Sequence, residues 1–409
     1  MTLALRPPMG WNSWNYGLNE RNRADFSRLT EKTMLAQAQA MVDSGMLAAG
    51  YEYFVLDDGY QNARRDYQGR LQGHALRFRN GIPQLINDVK ALGLKFGIYS
   101  VPGSLTCAQQ YDDYIADGLG SINKERIDAQ AFAEWGVDYL KYDWCRAHLN
   151  DGLVPKEAFK KMADELKLTG RDIVYSISEY GHFKPHEWAP EFTNMWRTTD
   201  DLFANWDSLL RTLDLQKDLY PYSRPGAWND PDMLQVGNGH LTSAENRAHF
   251  YLWAVLNAPL MAGNDLTRMS DEVRDLLIHP GIIEIDQDWS GEQGKLTWSQ
   301  GDLQVWSKQM SEAAGGGVAA VLLNRGDASG RFNLETTVGS YSTAKDVWSA
   351  VAGGESARLG GLPEQFALVS DSLTRLYPSG EVLGRALQSA AAQTLVAAAE
   401  PPAGLAMEV

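Results

Sequence analysis

Cysteine is almost absent, at two of 409 residues. That excludes a disulfide-framework fold and a cysteine-based zinc site. Basic residues are also in deficit. Lys and Arg number 37 against 52 Asp and Glu, a net charge of −15, and the cations are scattered. Nucleic acid and anionic membrane surfaces both need a basic face, so neither is expected as a partner. No apolar run approaches the ~18 residues that cross a bilayer. Asn-x-Ser/Thr, GxxxxGK(S/T), GxSxG and HExxH are all missing. The stretch Met1–Pro8 lacks the charged and apolar regions of a signal peptide. Two placements stay open on that basis: the cytoplasm, or export with a signal already removed.

What is present is a repeated local pattern. A short apolar run ends in polar groups, and an amphipathic stretch follows. The runs are Pro8–Trp14, Tyr53–Asp58, Lys95–Ser100, Val137–Asp143, Ile173–Ser178, Met195–Asp201, Ala227–Asp232 and Pro259–Asp265. Their length and β-branched or aromatic content suit buried strands. Helical spacing separates them over 32–49, 82–92 (before Gly93) and 156–169 (before Gly170), and Thr242 with Glu245 forms a capping-box signature. Strand–helix alternation of this kind fits a (β/α)8 TIM barrel, with a doubly wound sheet as the structural rival. The barrel is favoured because its active groups sit at the C-terminal strand ends, where these runs end in Asp, Ser, Asn or Trp. From about residue 289 to 380 short alternating runs (Asp302–Trp306, Gly317–Leu323, Thr343–Trp348) and glycine-rich turns predict a small antiparallel all-β domain. The expected division is a barrel over 1–288, that domain, and an Ala-rich tail over 381–409 with helical composition.

Acidic groups gather at the strand ends: Asp57, Asp58, Asp143, Asp200, Asp201, Asp230 and Asp232. Burying that many carboxylates together is costly unless they are paired or used. Lys141 and Asp143 lie two apart and share a strand face, so Lys141 is expected to hold Asp143 ionised, as a covalent nucleophile requires. Arg197 and Asp201 lie four apart, and a second carboxyl there can act as acid and then base, with Asp200 as the alternative. Trp11, Trp14, Trp144 and Trp228 at strand ends offer flat faces to sugar C–H groups, whereas Trp135, Trp253 and Trp306 read as core. Two carboxylates with aromatic floors is the equipment of a glycosidase. His182 and His186 have helical metal spacing, but Pro185 lies between them and no metal is expected. Cys107 and Cys145 follow neighbouring strands, within reach of a disulfide or free as two thiols.

Ordered motifs then carry a family resemblance. They are Pro8-Met9-Gly10-Trp11-Asn12-Ser13-Trp14, Leu56-Asp57-Asp58-Gly59-Tyr60, Phe96-Gly97-Ile98-Tyr99-Ser100, Tyr139-Leu140-Lys141-Tyr142-Asp143-Trp144-Cys145, Trp196-Arg197-Thr198-Thr199 and Trp228-Asn229-Asp230-Pro231-Asp232-Met233-Leu234. Over about residues 7–380 the chain resembles glycoside hydrolase family 27, the melibiase family of α-galactosidases. The resemblance implies a barrel followed by an antiparallel domain, a retaining mechanism and no cofactor. It implies Asp143 as nucleophile and Asp201 as acid/base. It gives sugar contacts to Trp14, Asp57, Asp58, Lys141, Arg197 and Asp232, a pocket lining to Tyr99 and Met233, and a disulfide to Cys107 and Cys145. The segment Ser178-Glu179-Tyr180-Gly181 departs from the family pattern where the C2 substituent is read, so Ser178 and Tyr180 are specificity candidates. Gly59 stands where a second family disulfide has a cysteine. Asp200 adds a carboxylate beside Asp201.

The expected function is therefore a retaining exo-glycosidase that removes terminal α-galactosyl residues from small or oligosaccharide substrates. Within the family, α-N-acetylgalactosaminidase, β-L-arabinopyranosidase and isomalto-dextranase are the rivals. A non-catalytic sugar-binding protein is the rival from another class. Oligomeric state is not readable from the residues.

Overall fold

The computed structural model describes residues 3–19 and 23–326. Eight parallel strands form one sheet: β1 (Met9–Asn12), β2 (Tyr53–Leu56), β3 (Lys95–Ser100), β4 (Tyr139–Asp143), β5 (Val174–Ser178), β6 (Met195–Arg197), β7 (Trp228–Asp230) and β8 (Leu260–Ala262). The ladder runs β7-β6-β5-β4-β3-β2-β1-β8, so the first strand pairs with the last. Across the remaining seam, Leu234 N–H donates to the Met261 carbonyl at 2.8 Å, just beyond β7. This is the barrel expected from the strand–helix alternation.

Side-chain alternation fills the barrel in layers. Tyr53, Val55, Tyr139, Val174, Met195, Trp228 and Met261 form one buried cluster drawn from six of the strands. Two residues further along, the same faces carry Lys141, Ser176, Arg197 and Asp230. Two more bring Asp57, Asp143, Ser178 and Asp232. The strands thus turn from apolar to charged within about two repeats. Glycines make room beside the large residues. A Cβ on Gly10 would lie 2.2 Å from the Tyr53 carbonyl oxygen, and one on Gly97 would lie 2.7 Å from Val55 Cγ2.

Helices pack outside the strands. Glu31–Asp43 opens with a Thr30–Thr33 capping box, and Ile82–Ala91 and Pro155–Leu168 precede left-handed Gly93 and Gly170. Ser243–Val255 carries the Thr242–Glu245 box. The first helix stops six residues short of the expected Ala49, because Gly45 leaves the helical region at φ +85°. Arg65, in the loop after β2, donates to the carbonyls of Gly69, Gly118, Leu119 and Gly120 and pairs with buried Asp128 at 2.5 Å. It thereby fixes the long loop after β3.

A separate three-stranded sheet runs β11 (Val318–Asn324), β10 (Leu303–Gln309), β9 (Lys295–Gln300). Only Gly301 and Asp302 join β9 to β10, so that pair is antiparallel. β9 has no clear sequence signal, since its side chains are mostly exposed and mixed. The expected strand Thr343–Trp348 and the tail 381–409 lie outside the described residues.

Gly10→Ala is expected to destabilise the protein by about 3 kcal/mol or more, because the new methyl meets a backbone oxygen that no rotamer change can move. Chemical denaturation measures this. An unchanged midpoint would contradict the layer description.

Candidate active site

The site begins at the ends of β1, β2 and β4. Asp57 is buried, and its Oδ2 accepts from Asn12 Nδ2 at 2.6 Å and from Lys141 Nζ at 2.8 Å. Lys141 therefore bonds Asp57 directly, while its charge still favours ionised Asp143, as the same-strand spacing predicts. Burial alone would lower the lysine's pKa, but Asp57 and Asp143 outweigh it and the net shift is upward. Asp58 turns away from its neighbour and accepts from the N–H groups of Gly59 and Ala108, each at 2.7 Å. Burial pushes Asp58 up to about 7, with the charge of Asp57 adding to it against those donors.

Asp143 closes β4 and is 6 % exposed. Its Oδ1 accepts from the Tyr180 hydroxyl at 2.5 Å and from Trp144 N–H at 2.9 Å. Burial raises its pKa. Lys141 and the Tyr180 hydrogen bond oppose that rise, while Asp201 and Asp57 add to it. Tyr180 sits in the left-handed region at φ +66°. Its hydroxyl lies 3.3 Å from Cys107 Sγ, and its ring lies 5.7 Å from the Arg197 guanidinium carbon.

Arg197 ends β6 and is almost fully buried. It pairs with Asp232 at 3.0 Å and Asp201 at 3.1 Å, and donates to the Thr199 carbonyl. Burial disfavours its charge, yet Asp232, Asp201 and Asp230 more than compensate. Asp232, held at φ +92°, also accepts from the N–H groups of Leu202 and Met233. Burial lifts it to about 7 despite Arg197. Asp201 differs from the other carboxylates, because its side chain is 56 % exposed. The structure thus joins a buried carboxylate on a tyrosine and an exposed one on an arginine within one connected charge network.

Other expectations divide. Trp14 is half-buried just after β1, where its backbone N–H donates to Asn12 Oδ1. Trp11, Trp144 and Trp228 are instead core, and their indole N–H groups donate to Asn264 O, His148 Nδ1 and Ala4 O. Strand-end position alone does not say whether a ring points outward to the helices or down the barrel. Tyr99 is buried beneath Lys141, 5.5 Å from its nitrogen, and its hydroxyl contacts Cys145 Sγ. Met233 packs against the interior cluster. Ser178 is buried with no hydrogen-bond partner for its Oγ among the described residues. Cys107 and Cys145 are bonded. Asp200 is exposed and faces His182 Nε2 at 2.8 Å, so His182 takes part in a carboxylate pair. His186 packs on Tyr222. Asn12 and Glu179 carry no sequence signal for their places. Glu179 is wholly buried, which pushes it up to about 8, and its Oε2 accepts from Phe183 N–H.

Comparison with known proteins places the chain in a family. The family described as alpha galactosidase A (Melibiase_2) matches residues 6–288. Alpha-galactosidase 2 of Arabidopsis thaliana is 42 % identical over 352 residues, covering 85 % of this chain and 83 % of the plant protein. Alpha-galactosidase A of Cellvibrio japonicus is 42 % identical over 337 residues, covering 80 % of this chain and 77 % of its own. The crystal structure of alpha-galactosidase I from Mortierella vinacea superposes with a TM-score of 0.71 at 31 % identity, covering 80 % of this chain and 83 % of that one. The chain is a member of the melibiase family, glycoside hydrolase family 27.

Proposed function

We propose that this chain hydrolyses terminal α-galactosyl residues by double displacement, with Asp143 as nucleophile and Asp201 as acid/base. The observation that carries the reading is the contrast between those two carboxylates. Asp143 is buried and held by two donors, so one lone-pair direction is fixed toward an incoming carbon. Asp201 stands at the open side on Arg197, where a leaving oxygen can depart and water can enter. In the first step Asp143 attacks the anomeric carbon as Asp201 gives its proton to the glycosidic oxygen. A covalent β-galactosyl ester results. Asp201 then takes a proton from water, water attacks the same carbon, and Asp143 leaves with overall retention.

The remaining acceptors support a polyhydroxy ligand. Asp57, Asp58, Asp230 and Asp232 are buried beside two cations, the part-buried Lys141 and the buried Arg197. Hydroxyl donors from a neutral sugar relieve that surplus without adding charge. Ser178 Oγ adds a buried group awaiting a partner near the C2 position. Trp14 supplies an apolar face at the rim, and a glucose epimer would leave buried carboxylate acceptors unmet. The division of the chain at about residues 288 and 380 belongs to the same proposal.

Two outcomes test it. Asp143→Ala abolishes turnover of p-nitrophenyl α-galactoside. Asp201→Ala loses about 10²–10⁴-fold on a galactosyl-α-1,6-glucose disaccharide and less on substrates whose leaving group needs no proton. Wild-type hydrolysis that first releases β-galactose, read by NMR, would overturn retention. Separately, Tyr180→Phe removes a donor that favours ionised Asp143. The nucleophile acts deprotonated, so activity falls as pH drops through its raised pKa. The acidic limb of kcat/KM therefore moves to higher pH in the variant, and an unmoved limb would deny Tyr180 that role.

A further inference from the structure

Two residues outside the galactosyl pocket share its rim. Tyr111 ends the short helix Cys107–Tyr111 after β3, and Arg146 follows Cys145 after β4. The Arg146 guanidinium carbon lies 5.2 Å from the Tyr111 ring centroid. Tyr111 is 44 % exposed, and Arg146 is exposed as well. In a chain of net charge −15, Arg146 has no carboxylate within ion-pair distance among the described residues.

This placement is constructed. Cys145 and Arg146 are consecutive non-glycine residues in the left-handed region, at φ +43° and +59°. Such a pair persists only where its surroundings impose it. A five-residue helix ends in Tyr111 and a four-residue helix begins just after Arg146, and neither length is stable alone. The Cys107–Cys145 disulfide ties their starting points together. Asn150 Nδ2 ties their far ends, donating to Gln110 Oε1 at 2.9 Å and to the Cys145 carbonyl at 3.4 Å.

The disulfide that anchors the pair also lies beside Asp143, the two sulfurs and a carboxylate oxygen all within 4.8 Å of one another. Burial raises the Tyr111 hydroxyl pKa, Arg146 opposes this, and both Asp143 and Asp201 add to the rise. The acid/base must meet the glycosidic oxygen, so what departs lies on the Asp201 side, whose charge is felt at the Tyr111 hydroxyl. A phenol ring packs against sugar C–H groups, and a guanidinium fork donates to vicinal hydroxyls.

We propose that Tyr111 and Arg146 form the binding site for the leaving-group sugar of a neutral oligosaccharide. This rests on the reading of Asp143 and Asp201 given above.

The test compares two substrates with the same galactosyl group. α-Galactosyl fluoride has no leaving-group sugar, whereas the α-1,6-linked galactosyl-glucose disaccharide does. Tyr111→Ala and Arg146→Ala each lower kcat/KM on the disaccharide about tenfold, the worth of one hydrogen bond to a charged group, and leave fluoride hydrolysis unchanged. Arg146→Lys, which keeps the stem and charge but not the fork, gives an intermediate loss on the disaccharide alone. Equal losses on both substrates would overturn the proposal and make the pair a support for the nucleophile. No loss on either would also overturn it. A wild-type protein that fails on the fluoride would instead break the underlying galactosidase reading, and this proposal with it.

Discussion

Two cations at the strand ends hold this site together. Lys141 and Arg197 stand one layer above the apolar filling of the barrel, each reaching carboxylates from other strands. Without them, Asp57, Asp143, Asp230 and Asp232 could not share so small and dry a volume as anions. Even with them the balance is incomplete, and Asp58 and Asp232 are pushed up to about 7. A barrel end with more acceptors than donors is unsatisfied by its own residues. Its natural complement is a molecule made largely of hydroxyl groups. Electrostatics and substrate class are thus one constraint seen from two sides.

The layer rule also explains which features are legible in the residues alone. Period-two alternation puts Tyr139, Lys141 and Asp143 on one face, and the eight strands lie inside the runs that signal them. Spacing along a strand identifies which residues share a face. It does not identify the neighbour across the barrel, so the effect of Lys141 on Asp143 is legible while its bond to Asp57 stays hidden. The tryptophans mislead for a related reason. Trp11 and Trp228 lie on strands, but one stacks on Phe54 outside the sheet and the other fills the floor. Loop geometry is the least legible. Nothing in Ser178–Gly181 announces that a left-handed Tyr180 carries its hydroxyl to Asp143. The family resemblance supplies the pairing of Cys107 with Cys145, which spacing leaves open.

The disulfide connects these levels. It joins the loops after β3 and β4 beside two tyrosine hydroxyls, Tyr99 on one sulfur and Tyr180 on the other. One covalent bond therefore borders Asp143 on one side and anchors the segments that lead to Tyr111 and Arg146 on the other. The proposed galactosyl site draws on strand ends, whereas the proposed rim draws on the short segments that follow them. Variation in the rim can proceed without disturbing the strands beneath.

The pairing of β1 with β8 has a consequence in time. Trp11 reaches the Asn264 carbonyl across 253 residues of sequence. A ribosome adding about 5–20 residues per second needs roughly 13–50 s to supply that stretch. Throughout that interval one edge of the first strand has no partner, and bare strand edges are where chains aggregate. The strand made first is the last to be sealed, and the yield of folded protein depends on what shields it while it waits.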